Sequence, residues 1–269
     1  MFACPCDAGA MHLGWEILSL LALVGLVAGF VDSIAGGGGL LALPAILATG
    51  ISPIQALATN KAQSVWGTLL AVTRFHHGGL IQWRALAPVI ATTFASAMLG
   101  AFVVQSIRPD TLKLVVPLLL IAAVVYFLFS PRMSDEDVHH RITIGAYAFV
   151  APFIGFYDGF FGPGTGSFFA ISLVGLAGMG LTRATAHTKV LNATSNLASL
   201  ILFALAGHVV LLVGAVMAVG QVAGGWLGAH YAVRHGARLI RPLLVLMSLG
   251  LTVKLLLDPA NPLRQLGGI

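Results

Sequence analysis

The chain has 269 residues, a net charge of +5, 58% hydrophobic and 9% charged residues, and a mean hydropathy of +0.96. A water-facing domain carries about a quarter charged residues, so this composition excludes a soluble globular body and makes the bilayer the solvent. The positive charge does not indicate nucleic acid: Arg74, Arg84, Arg108, Lys113, Arg132, Arg141, Arg234, Arg238 and Arg241 fall in short connections, where headgroups attract basic residues.

Residues 1–12 form a leader with Cys4 and Cys6, two soft ligands where a structural metal site needs about four, so no metal and no cofactor is expected. The apolar stretch that follows has no basic region before it and reads as a membrane segment, not a cleaved signal. Apolar segments lie at 13–31, 40–50, 56–75, 85–106 and 112–130, within a first membrane unit of residues 13–130. A polar loop at 131–141 separates it from a second unit, 142–257, with segments at 142–160, 166–180, 184–206, 209–233 and 239–257, and a tail at 258–269. Most segments approach the ~20 residues a helix needs to cross the hydrocarbon core. Those at 40–50 and 166–180 are short, and each follows a glycine-rich break.

The two halves match. Gly29-Phe30-Val31-Asp32 leads into Gly36 to Gly39, and Gly155-Phe156-Tyr157-Asp158 leads into Gly162-Pro163-Gly164-Thr165-Gly166-Ser167, at an offset of 126. Downstream the offset is 128, relating Lys61 to Lys189, Gly79 to Gly207, Gly100 to Gly228 and Lys113 to Arg241. A constant offset across unlike residue types indicates duplication. Five segments is an odd number, so the two units are expected to be inverted, with both termini outside and the basic connections 76–84, 131–141 and 234–241 inside. The expected fold is an all-α, multi-pass membrane protein of two homologous five-segment repeats, with two broken or re-entrant half-helices at the glycine clusters.

Four consecutive glycines cannot hold a helix against the ~1 kcal/mol each costs relative to alanine. A broken backbone in lipid survives only where protein or trapped water satisfies it. Two short helices starting near the midplane would present free N–H groups and partial positive charge, a setting that suits an anion. The expected substrate contacts are Gly37, Gly38, Gly39, Asn60 and Lys61 in the first half, and Gly164, Thr165, Gly166, Ser167, Thr188, Lys189, Asn192 and Asn196 in the second. Lys189, Asn192 and Asn196 share one helix face, forming a polar stripe that should face a cavity or a partner helix. Asp32 and Asp158 precede the breaks as structural or ion-coupling carboxylates; Asp32 could pair with Lys61 or cap the break. His187 is a candidate proton partner.

Taken in order, Gly-Phe-x-Asp32, the glycine cluster, Pro44, Ala-x-Ala-Thr-Asn-Lys61 and the second copy from Asp158 to Ser167 resemble the TauE/SafE family of sulfite-exporter-like permeases. The resemblance runs from about residue 15 to 257 and implies a secondary transporter in a bacterial inner membrane. It also implies export of small sulfur-containing or organic anions, such as sulfite or C2 sulfonates, driven by an ion gradient.

Expected partners are the lipid bilayer, the small anion, a coupling proton or cation and, as an option, a second copy in a homodimer; nucleic acid is not expected. Two other readings compete. Ser167 and His187 could form the nucleophile–base dyad of an intramembrane hydrolase, although the first repeat has Leu41 where the second has Ser167. A passive anion channel or a membrane chaperone is the third; paired broken helices favour alternating access over an open pore.

Overall fold

The computed structural model describes residues 14–129 and 142–235. The leader with Cys4 and Cys6, the loop 131–141, the tenth apolar segment and the C-terminal tail lie outside the described residues. The described chain is all helical: α1 Trp15–Ala35, α2 Gly39–Leu47, α3 Pro53–His77, α4 Trp83–Gln105, α5 Pro109–Phe129, a 3-10 turn at Ala146–Phe149, α6 Ala151–Phe160, α7 Thr165–Ala177, α8 Leu181–Leu205 and α9 Leu211–His235.

Local chemistry sets the ends. Gly36 takes a left-handed backbone at φ 72°, and its N–H closes α1 on the Asp32 carbonyl. Pro53 starts α3, where its missing N–H is harmless. Helices α2 and α7, 9 and 13 residues long, reach only about 14 and 20 Å at 1.5 Å per residue. Leu40 to Leu47 are all buried, as expected of a helix that is apolar on every side. The stretch 142–160 differs from a single long helix. Pro152 sits in the first turn of α6, has no N–H to continue an α-helix from behind it, and is preceded by the tighter 3-10 turn.

Among the described residues, four helical stretches are long and apolar enough to cross a bilayer: Trp15–Ser33, Trp83–Gln105, Leu181–Leu205 and Leu211–Gly228. Helix α3 has the length, 25 residues, but carries Asn60, Lys61, Gln63 and Ser64, which are explained by what it faces inside. Large apolar side chains such as Leu20, Phe102, Leu118, Leu205 and Val219 are exposed and form the lipid-facing surface.

The packing joins the first half to the second. Helix α1 lies on α9, α4 on α6, and α3 on α8. The Val210 N–H, just after α8, donates to Thr59 near the start of α3 at 3.1 Å, and the Gln82 N–H, just after α3, reaches His187 near the start of α8 at 3.5 Å. Each helix therefore has its start beside the other's end, and α3 and α8 run antiparallel. Glycines make the outer contacts close: Gly25 and Gly29 of α1 abut the backbone of Met217 and Gln221, while Gly220, Gly224 and Gly228 of α9 abut Ala22, Leu26 and Phe30. Gly100 and Gly159 do the same between α4 and α6. Without a hydrophobic drive between helices in lipid, such backbone approach supplies the van der Waals contact that holds them.

A Cβ on Gly224 would lie 1.8 Å from the Leu26 carbonyl oxygen, whereas one on Gly175 meets nothing within 4 Å. Gly224→Val is expected to lose at least about 1–3 kcal/mol through overpacking. Gly175→Ala should leave stability unchanged or slightly raised. Thermal unfolding of the two detergent-purified variants checks this; equal melting temperatures would contradict the packing.

Candidate functional site

The two glycine breaks meet. A Cβ on Gly166 would stand 2.7 Å from the Gly36 Cα, and Gly39 faces Pro163 and the Asn60 amide. Helices α2 and α7 both begin here, so two helix N-termini, each with partial positive charge, converge on one cavity. Its walls are Gly36 and Gly39 from the first break, Gly162, Gly164, Thr165 and Gly166 from the second, Asn60, Lys61, Ser64 and Thr68 from α3, and Asn192 and Asn196 from α8, with Asp32 and Asp158. Its volume is about 30 Å³, room for about two water molecules.

Two ion pairs flank it. Lys61 Nζ stands 2.6 Å from Asp158 Oδ1, with both side chains almost fully enclosed at 2% and 4% exposure. The Thr165 hydroxyl, shared with the Gly162 carbonyl at 2.6 Å, also donates to Asp158 Oδ1 at 3.0 Å, and Ser195 donates to Oδ2. Three donors from three helices thus hold this carboxylate. Lys189 Nζ stands 3.2 Å from Asp32 Oδ2 and also donates to the Asp32 backbone carbonyl. This second pair is looser: the Lys189 side chain is 2% exposed but that of Asp32 is 15%. Asp32 also lines a smaller recess of about 10 Å³ with Ser33, Gly67, Arg74, Lys189 and Gln221. The Arg74 guanidinium at that recess lies 5.9 Å from the Trp226 ring, a cation–π distance.

Both pairs span the halves of the chain. The sequence option of Asp32 with Lys61 gives way to Asp32 with Lys189 and Asp158 with Lys61, because α3 and α8 lie against each other beside the touching breaks. A lone charge in such a place would be expelled or neutralised, whereas a hydrogen-bonded pair persists.

Of the residues singled out from the sequence, Gly39, Asn60, Lys61, Gly164, Thr165, Gly166, Asn192, Asn196, Asp32 and Asp158 line the cavity. Lys189 faces the smaller recess. Gly37 and Gly38 are buried behind it, Gly38 against Ala28 and Asp32. Ser167 and Thr188 are buried away from the lining, and His187 is fully enclosed at the start of α8, on Gln82 and the Arg183 carbonyl. Ser64 and Ser195 stand out in the sequence only as hydrogen-bonding residues that follow the two lysines, and Thr68 not at all. Ser64 and Thr68 are signalled by spacing, since Lys61, Ser64 and Thr68 repeat the interval of Lys189, Asn192 and Asn196. Asn192 Oδ1 has no hydrogen-bond partner among the described residues, so the wall offers an acceptor as well as donors. No group of three His, Cys, Asp or Glu able to hold a metal occurs among the described residues.

Removing one member of the tighter pair leaves a buried charge. Lys61→Ala should destabilise the protein by about 3–5 kcal/mol, and Lys61→Ala with Asp158→Ala by much less. Lys189→Ala should cost less than Lys61→Ala, because Asp32 can reach water. A double-mutant cycle by thermal unfolding in detergent measures this, and additive losses at Lys61 and Asp158 would refute the coupling.

The family described as Sulfite exporter TauE/SafE matches residues 21–255. Among curated relatives, a probable membrane transporter protein, ORF9, of Sinorhizobium sp is 44% identical over 253 residues, covering 94% of this chain and 97% of its own. A probable membrane transporter protein of Haemophilus influenzae is 44% identical over 249 residues, covering 92% and 98%. The probable membrane transporter protein YfcA of Escherichia coli K12 is 44% identical over 243 residues, covering 90% of each chain. No solved structure matches the chain significantly.

Proposed function

The chain belongs to the sulfite exporter TauE/SafE family, and from that premise we propose that it is a secondary transporter exporting small sulfur-containing or organic anions, such as sulfite or C2 sulfonates, across a bacterial inner membrane. It is an integral membrane protein, and the names of its relatives support a membrane transporter. The observation that carries the substrate reading is the meeting of two helix N-termini and Lys61 around one polar cavity, with Lys189 beside it. Backbone N–H groups, an ammonium and the Asn60, Ser64, Thr68, Thr165, Asn192 and Asn196 side chains suit a small oxyanion with several acceptor oxygens.

The transport unit is read as an inverted duplication. In its support, α3 and α8 are both 25 residues long and start 128 residues apart. Their antiparallel contact is made by two hydrogen bonds whose four residues exchange under that same offset. The ion pairs exchange likewise, as do the packings of α1 on α9 and α6 on α4. Such a pseudo-two-fold places a substrate at the repeat interface and lets the halves rock about it. Paired broken helices favour alternating access over an open pore.

The hydrolase reading lacks a base. Both ring nitrogens of His187 are engaged by backbone groups, one at Arg183 and the other at Gln82.

Purified protein in proteoliposomes should exchange labelled sulfite, sulfoacetate or isethionate for the same unlabelled anion. Lys61→Ala and Lys189→Ala should each slow exchange on the order of 100-fold, as expected for truncating a desolvated charge contact. Wild-type rates in both variants would remove the lysines from the site; absence of any exchange in the wild type would remove the anion-transport reading.

A further inference from the structure

The two ion pairs are arranged alike but are not equally held, and the difference assigns them different work. Asp158 accepts from Lys61, Thr165 and Ser195. Among the described residues the donor to the Asp32 carboxylate is Lys189, at 3.2 Å; Asp32 is the more exposed of the two and borders both the central cavity and the recess leading to Arg74.

Charge and position then limit how an anion can bind. Lys61, Lys189, Asp32 and Asp158 together carry no net charge. An anion seated in this cavity lies against Lys61 and between the carboxylates of Asp32 and Asp158. An added anion must take a lysine from its carboxylate, and the freed carboxylate would stand unpaired at low dielectric unless it bound a proton.

Resting on the anion-transport reading above, we propose that transport is proton-coupled symport and that Asp32 is the carboxylate that takes the proton. The hydrogen bond from Lys189 Nζ to Asp32 Oδ2 breaks, Lys189 donates to the anion, and a proton from water enters through the Asp32 side and binds Oδ2. Lys189 stays charged, Asp32 becomes neutral, and a monoanion adds one negative charge, so the loaded site is as neutral as the empty one. Asp158 keeps its three donors and serves as a structural anchor. The inward pH gradient of a bacterial cell opposes this cycle in the outward direction. Export therefore runs only when the outward gradient of an anion made inside the cell exceeds it, and the anion's own gradient is then the driving force.

Among the described residues, the charged groups that line the same two cavities as Asp32 are Lys61 and Arg74 from α3, Lys189 from α8 and Asp158 from α6. Helices α2 and α7 and residues 211–228 of α9 carry no Asp, Glu, Lys, Arg or His. Lys189 is the cation bonded to Asp32, and an arriving anion competes with Asp32 for it, which is what couples the two ligands.

Labelled isethionate is the test anion, because its sulfonate stays ionised and any co-transported proton must ride on the protein. The membrane potential is clamped at zero with valinomycin and equal potassium. Wild-type protein should accumulate isethionate in the alkaline compartment under an imposed pH gradient, and a protonophore should abolish this. The readout is gradient-driven accumulation relative to gradient-free exchange in the same preparation. That ratio should fall about 10-fold or more in Asp32→Asn and recover in part in Asp32→Glu. An unchanged ratio in Asp32→Asn, or wild-type accumulation that follows a potassium diffusion potential and ignores the pH gradient, overturns the proposal.

If wild-type protein exchanges no isethionate, the anion reading fails for this substrate and a ligand-free measurement decides the role of Asp32. In the infrared titration of the reconstituted protein, one component of the carboxylic C=O absorption that grows on acidification should be missing in Asp32→Asn. A band that the substitution leaves unchanged overturns the assignment.

Discussion

Two lysines buried among helices in a low-dielectric medium are the constraint on which the rest of the structure depends. Each is tolerated because an aspartate from the other half of the chain reaches it, so neither half can settle its charges alone. This requirement fixes the register of α3 against α8 and brings the two glycine breaks together, since Asp32 and Asp158 sit only a few residues before them. The cavity is a consequence of the same arrangement: four charged groups and two interrupted helices cannot pack as tightly as leucines do.

Glycine serves two separate purposes around that centre. At the breaks, Gly36 and Gly162 adopt left-handed backbone that ends one helix and allows a short one to start at the cavity. Along α1, α4, α6 and α9, glycines sit inside regular helices and let backbones touch. The outer helices thereby form a close-fitted frame around α3 and α8, whose polar faces would otherwise be exposed to lipid.

The pairs also differ where the proposed repeats differ. Ser195 and Thr165 secure Asp158, while the corresponding positions in the first half, Gly67 and Gly39, have no hydroxyl to offer Asp32. A duplicated fold can thus hold one carboxylate as a fixed anchor and leave the other able to change partners, the division of labour on which proton coupling by Asp32 would rest.

Much of this was legible in the residue order. Hydropathy marked the membrane segments, glycine runs marked the breaks, and offsets of 128 and 126 related Lys61 to Lys189 and Asp32 to Asp158. All of these depend on local composition or spacing, which the chain carries along its length. The helical interval from Lys61 to Ser64 and Thr68 was equally present, but the short hydroxyl side chains made a fainter stripe than the asparagines of α8. Beyond local reach the sequence was silent. It could not say that Asp32 meets Lys189, that His187 turns to the Gln82 backbone and away from the cavity, or that one ion pair is sealed and the other open to water. Those outcomes depend on which helices lie side by side and in what direction. Tertiary packing alone decided them, because the energy of a buried charge is set by the atoms around it in space and not by its neighbours along the chain.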